Sequence, residues 1–288
     1  MQSSPELSKS SQRRAKPLAT SLPWVAGSVI VGAVRTQTLP SNERLDAVDA
    51  LRGAAIVWMT LFHFCFDLNQ FGFIRQNFNF DPFWTWQRSA IVSLFLFCAG
   101  LGQAIAVARG QSWSRFGRRW SQVALSALLV TLGSMWMFPG SFIYFGVLHG
   151  LAVMLLLLRL AAPWARRHLV ALCFLGAALI AAKFIAEQTL GSGALAEMLN
   201  QKGLNWLGLI TKKPFTEDYV PLVPWLGVVL WGFAAGIWLQ QRRAPVLTLR
   251  LPGTMAPLTF LGRWSLSYYL LHQPLLLGGV MLAHWLLH

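Results

Sequence analysis

Apolar stretches of about 18 to 22 residues recur along this chain between short polar segments, and a run of about 20 is what an α-helix needs to cross a bilayer. The pattern predicts spans at about 48–68, 89–108, 120–138, 142–160, 168–187, 221–240 and 264–287. The expected fold is an all-α polytopic membrane protein, about seven transmembrane helices in one bundle. Residues 1–22 are rich in Ser, Gln, Pro and basic side chains, and Pro23 to Val34 is too short and too Gly-broken to span. Residues 1–43 are therefore expected to form a disordered or weakly structured basic arm.

The connections differ in character. Asp67 to Arg88 is aromatic and polar, with Trp84 and Trp86 suited to a membrane interface. Gln188 to Val220 is the longest and brings Glu217 and Asp218 to the start of the sixth span, whereas Pro139 to Ser141 predicts only a tight turn. No internal repeat or long linker divides the rest of the chain.

Composition agrees: 55% of residues are hydrophobic and 12% charged, against a usual quarter charged. A net charge of +14 would suggest nucleic acid in a soluble protein. In a membrane protein it reports orientation, and no nucleic acid is expected. Most of the Lys and Arg fall in alternate connections, among them Arg109, Arg115, Arg118, Arg119, Arg166, Arg167, Arg242 and Arg243, which assigns the N-terminus to the cytoplasm. Cys65, Cys98 and Cys173 lie in apolar segments without metal-like spacing, so neither a disulfide framework nor a metal site is expected.

The first span breaks its own pattern by carrying Asp49, Arg52, His63 and Asp67. A charge at membrane depth costs about 2.5 to 3.5 kcal/mol on insertion scales, so such groups pair, line a cavity or do chemistry. Eleven residues separate Arg52 from His63, which at about 100° per residue returns the helix to within roughly 20° of the same face. Asp49 and Asp67 fall on that stripe too, which is about 27 Å long. Arg52 has two readings: a structural partner of Asp49 or Asp46, or, with Arg44 and the basic Arg109 to Arg119 loop, a collector of an anionic ligand. His63, with Asp67 four residues on to orient it, is the candidate general base. His149 and His272 lie in later spans, and Lys183 is expected to pair with Glu187. No Walker-type loop or serine nucleophile elbow is present.

The run Asp49-Ala-Leu-Arg52-Gly53-Ala-Ala-Ile, with His63 ten residues further on, resembles the first-span signature of transmembrane acyltransferases. The ending Leu261-Gly262, Ser265 to Tyr269 and His272-Gln273-Pro274 is similar to their late-span pattern. Together with Arg44 to Asp46, Phe71-Gly72, Asp218-Tyr219, Pro221 and Pro224-Trp225, the set most resembles the small bacterial members of the heparan-alpha-glucosaminide N-acetyltransferase catalytic-domain family, from Arg44 to Pro274. The resemblance implies a transmembrane acyltransferase domain over 44–288. It would take an acetyl or other acyl group from cytoplasmic acyl-CoA and deliver it to a glycan or related acceptor beyond a bacterial inner membrane.

Under that reading CoA binds near Arg52, Arg44, Arg115, Arg118 and Arg119, and its thioester reaches His63 about 16 Å deeper along the helix. His63 acts as base, oriented by Asp67. Asp49, His149, His272, Asp218 and Trp225 line the cavity, with the last two facing the acceptor. The partners expected are the bilayer, acyl-CoA and a glycan or small-molecule acceptor, and a homodimer is compatible with this scheme. Two other classes share the same polar stripe: a glycolipid transporter, and a non-catalytic membrane partner of a cell-envelope complex.

Overall fold

Two capping residues set the helix starts, and each starts its helix about two turns earlier than hydropathy predicts. Asp81 accepts a hydrogen bond from the Phe83 N–H at 2.9 Å with Pro82 at the first helical position, so α2 runs Pro82–Ala108. Ser112 accepts from the Arg115 N–H at 3.3 Å, so α3 runs Trp113–Met137. The expected basic loop is thereby corrected: Arg115, Arg118 and Arg119 stand exposed on the first two turns of α3.

The computed structural model describes residues 45–247, 249 and 251–287; the basic arm over 1–43 and the CoA-binding role of Arg44 fall outside them. Besides α2 and α3, the chain forms α1 (Asp46–Gln70), α4 (Val147–Ala165), α5 (Leu169–Thr189), α6 (Ala194–Asn200), α7 (Leu222–Gln241), α8 (Ala256–Arg263) and α9 (Ser265–Leu287). Seven of these, α1 to α5, α7 and α9, are long and apolar enough to cross a membrane. The protein is an all-helical integral membrane protein, and many of its large exposed side chains, such as Trp136, Phe174 and Leu275, lie on these spans, where the bilayer is the solvent.

The link before α4 is longer than the predicted tight turn. The tight turn forms at 139–141, closed by the Ser141 N–H on the Phe138 carbonyl at 3.0 Å, and the chain then runs on irregularly through 142–146, where Thr131 donates to the Ile143 carbonyl at 2.8 Å and Ser134 accepts from the Ile143 N–H at 2.9 Å. Phe145 pairs in parallel with Tyr219 of the long connection, and the Val220 N–H donates to the Phe145 carbonyl at 3.1 Å. The two loops at this end are thus zipped together. Lys183 pairs with Glu187 at 2.8 Å, as the spacing predicts.

Reciprocal glycines set the closest helix approaches. A Cβ on Gly53 would meet the Leu258 carbonyl oxygen at 1.9 Å, and one on Gly262 the Asp49 carbonyl oxygen at 1.8 Å, so α1 and α8 touch backbone to backbone. Gly100 against Val229 and Gly232 against Phe97 do the same for α2 and α7. The main core lies around α7, where Phe233, Val229, Leu96, Met154 and Leu158 are buried; a smaller one (Met59, Phe62, Phe78, Ile91) lies between α1 and α2 and reaches Tyr268 and Tyr269 of α9.

Candidate active site

The α1–α9 seam gathers the polar groups. His63 of α1 meets His272 of α9 edge to face, ring centroids 5.2 Å apart. One turn toward the Asp46 end, Thr60 donates to its own helix at the Ile56 carbonyl (2.8 Å) and lies 2.9 Å from the Tyr268 hydroxyl. One turn the other way, Asp67 is fully buried, and its Oδ1 accepts from Gln273 Nε2 at 2.9 Å. The orienting partner of Asp67 is therefore an amide of α9: its Oδ2 has no hydrogen-bond partner, and His63 packs instead against Phe62 and His272. The Tyr268 ring stacks on His272 at 5.9 Å and Tyr269 flanks it at 5.6 Å.

Thr60, Tyr268, Tyr269 and Gln273 meet at this seam without a role assigned to them from the sequence, where the last three entered only as part of the late-span motif. A signal for three of them was present: Tyr268 and His272, and Tyr269 and Gln273, are each four apart, which places a polar stripe on an otherwise apolar span.

Tyr269 extends the site toward the long connection, since its phenol faces the Asp218 carboxylate. Asp218 Oδ2 accepts from the Val147 N–H at the start of α4 at 2.7 Å, and Gly146 leaves room for it, because a Cβ there would stand 2.3 Å from that oxygen. Burial pushes the Asp218 carboxyl above the ordinary carboxylate value, against the opposing pull of the Val147 N–H and the Lys213 ammonium. Arg88 of α2 also faces this carboxylate. Behind it, the Tyr219 hydroxyl donates to the Asn205 carbonyl at 2.6 Å, and Asn205 donates to the Tyr144 hydroxyl at 2.7 Å.

A stability prediction follows from this carboxyl. Because its folded-state pKa is raised, its contribution is greatest below the ordinary value of 3.8 and is lost as pH climbs through the raised value. Asp218→Asn keeps an acceptor for Val147 and should remove this downward slope from thermal unfolding profiles of detergent-solubilised protein. Asp218→Ala leaves the Val147 N–H unpaired and should cost about 1–3 kcal/mol.

The other expected residues are dispersed. In the first turn of α4, His149 accepts the Gly146 N–H at Nδ1 (3.2 Å) and meets Thr131 Oγ1 with Nε2 at 2.9 Å; one nitrogen caps its own helix and the other anchors α4 to α3. Trp225 packs against the main core from the first turn of α7. Arg52, a quarter exposed, lies 3.2 Å from Asp49 Oδ1 and 3.5 Å from the Gly262 carbonyl, and its Nη2 rests beside Gly102 of α2. Arg263 binds Asp46 at 2.9 Å and Asp49 at 3.5 Å, which completes a ladder of two guanidiniums and two carboxylates between α1 and α8. Arg52 and His63 both face the α8–α9 side of α1.

At the Gln70 end of α1 a cavity of about 520 Å³ opens among Phe66, Asn69, Gln76, Asn77, Phe78 and Glu217. Asn69 and Asn77 spend their carbonyl oxygens on the Gln76 and Phe80 N–H groups, and Gln76 accepts from the Trp84 indole. Their amide NH2 groups are left as donors. Among the described residues no three His, Cys, Asp or Glu side chains cluster as metal ligands.

No curated protein and no solved structure matches the chain. A family model does match, that of the catalytic region of heparan-alpha-glucosaminide N-acetyltransferase, over residues 44–274. That stretch runs from the residue before Leu45 to Pro274 of α9 and takes in the imidazole pair, the Asp218 cluster and the arginine ladder. The chain therefore belongs to the heparan-alpha-glucosaminide N-acetyltransferase catalytic family of membrane acetyltransferases, which use acetyl-CoA.

Proposed function

We propose that the protein moves an acetyl or related acyl group from cytoplasmic acyl-CoA to a hydroxyl or amine of a glycan or small-molecule acceptor. The acceptor would lie at the opposite face of a bacterial inner membrane, with the N-terminus in the cytoplasm. The observation that carries this reading is the His63–His272 pair, two imidazoles held 5.2 Å apart between spans of a chain from an acetyltransferase family. Imidazole can take a proton from a hydroxyl or amine and return it to a leaving thiolate near neutral pH.

The two ends of α1 suit two substrates. Arg52 and the exposed Arg115, Arg118 and Arg119 offer guanidiniums to the CoA phosphates at the Asp46 end. The amide-lined cavity at the Gln70 end offers donors and aromatic faces to a polyhydroxylated acceptor, with Glu217 at its wall. His63 lies about 16 Å along α1 from Arg52, within the length of a pantetheine arm.

Acetyl-CoA added to detergent-purified protein at about 100 times its Kd should stabilise the fold by about 2.7 kcal/mol, read as a rise in Tm. Mass spectrometry of an acceptor mixture should show acetylated product and free CoA. The absence of both stabilisation and product would overturn the reading and leave a transporter or scaffold in its place.

A further inference from the structure

We infer that His272 of α9 is the general base, and that His63 of α1 faces it as the hydrogen-bond donor to the carbonyl oxygen of the thioester; this rests on the acyl-transfer reading above. The assignment comes from the hydrogen bonds of the ring. His272 Nδ1 stands 2.8 Å from the Tyr269 carbonyl oxygen, which can only accept, so Nδ1 carries the proton and Nε2 carries the lone pair. Nε2 is buried and has no hydrogen-bond partner. The side chain is only 6% exposed, with Tyr268 stacked on its face and His63 at its edge, so neither ring nitrogen can turn away.

A buried imidazole with one nitrogen locked by a backbone carbonyl and the other bare is a base awaiting a proton. No comparable constraint fixes the tautomer of His63, because the nearest carboxylate on its helix, Asp67, is bonded to Gln273. Nε2 of His272 takes the proton of the acceptor hydroxyl or amine as the acceptor atom bonds to the thioester carbonyl carbon. The C–S bond then breaks, and the proton on Nε2 passes to the departing CoA sulfur, which leaves as the thiol. The charge that develops on the carbonyl oxygen in between faces the His63 N–H. The titratable groups around His272 are His63 and Asp67 from α1, Tyr268 and Tyr269 from α9, and Asp218 beyond Tyr269.

The test compares kcat/KM against pH for the wild type, His272→Gln and His63→Gln, with acetyl-CoA stabilisation as the check on folding. The wild type should show an ascending limb as pH rises. His272→Gln should lose about 10²- to 10⁴-fold and flatten that limb, whereas His63→Gln should be slower but keep it. A His272→Gln enzyme that keeps the limb, or a limb abolished only by His63→Gln, overturns the assignment. A wild type that transfers no acetyl group at all refutes the acyl-transfer reading instead. Should His272→Gln fail to fold, 15N spectra of wild-type protein labelled at histidine decide: a proton on Nδ1 of His272 supports the assignment, and a proton on Nε2 overturns it.

Discussion

Gly262→Val is expected to abolish the folded protein or to lower its stability by about 3 kcal/mol or more, with Gly262→Ala costing about 1–3 kcal/mol. A Cβ at this position would stand 1.8 Å from the carbonyl oxygen of Asp49, and no rotamer change can move a backbone oxygen. The helices would have to separate. Separation would also pull apart the partner contact at Gly53, where the same geometry holds at 1.9 Å, and would stretch the Arg263–Asp46 and Arg263–Asp49 pairs. Gly278 and Gly279 of α9 supply the control, since nothing lies within 4 Å of a Cβ there. Their alanine variants should be neutral or slightly more stable, because alanine favours a helix by about 1 kcal/mol over glycine. Thermal unfolding in one detergent, scored for all variants, checks the contrast; equal Tm values for Gly262→Val and Gly278→Ala would refute the backbone contact.

His63→Ala should lower kcat by about 10²- to 10³-fold while leaving the affinity for acetyl-CoA close to wild type. The imidazole stands at the edge of His272 and about 16 Å along the helix from Arg52, so its loss touches the reacting end and not the nucleotide end of the proposed CoA path. Truncation leaves Thr60–Tyr268 and Asp67–Gln273 to hold α9 on α1, and so the variant should fold. Single-turnover transfer of labelled acetyl groups measures the first quantity and acetyl-CoA-dependent Tm the second. Full activity in a folded variant would remove His63 from the chemistry.

The seven spans are legible in the sequence because a bilayer demands about 20 apolar residues in a row and tolerates few alternatives. Their ends are less so. Asp81 and Ser112 start α2 and α3 over aromatic and basic residues that a hydropathy window discounts, and α8, only eight residues long, carries too short a pattern to separate from its loop. Helical periodicity places Arg52 and His63 on one side of α1, and in the structure they face α8 and α9. The partners on those helices are a different matter. Tyr268 and Gln273 lie 208 and 206 residues from the Thr60 and Asp67 they bind, and nothing local in the sequence states that pairing. Gly53 and Gly100 announce close approach by their size, yet which backbone approaches is decided only by the packed bundle. His149 shows the opposite limit: a histidine in a span looks available until the Gly146 and Thr131 contacts account for both its nitrogens.

The ladder at the Asp46 end has a consequence for how a phosphate can be received. Arg52 is engaged by Asp49, so an incoming anion competes with an internal one, and this competition should make its affinity sensitive to ionic strength. Asp49, however, is held by Arg263 as well. It can release Arg52 and still keep a cation beside it, so the exchange of partners leaves no bare carboxylate stranded between the helices. If Arg52 receives a phosphate as proposed, two redundant grips on a single acid would turn an apparently static clasp into a turnstile for negative charge.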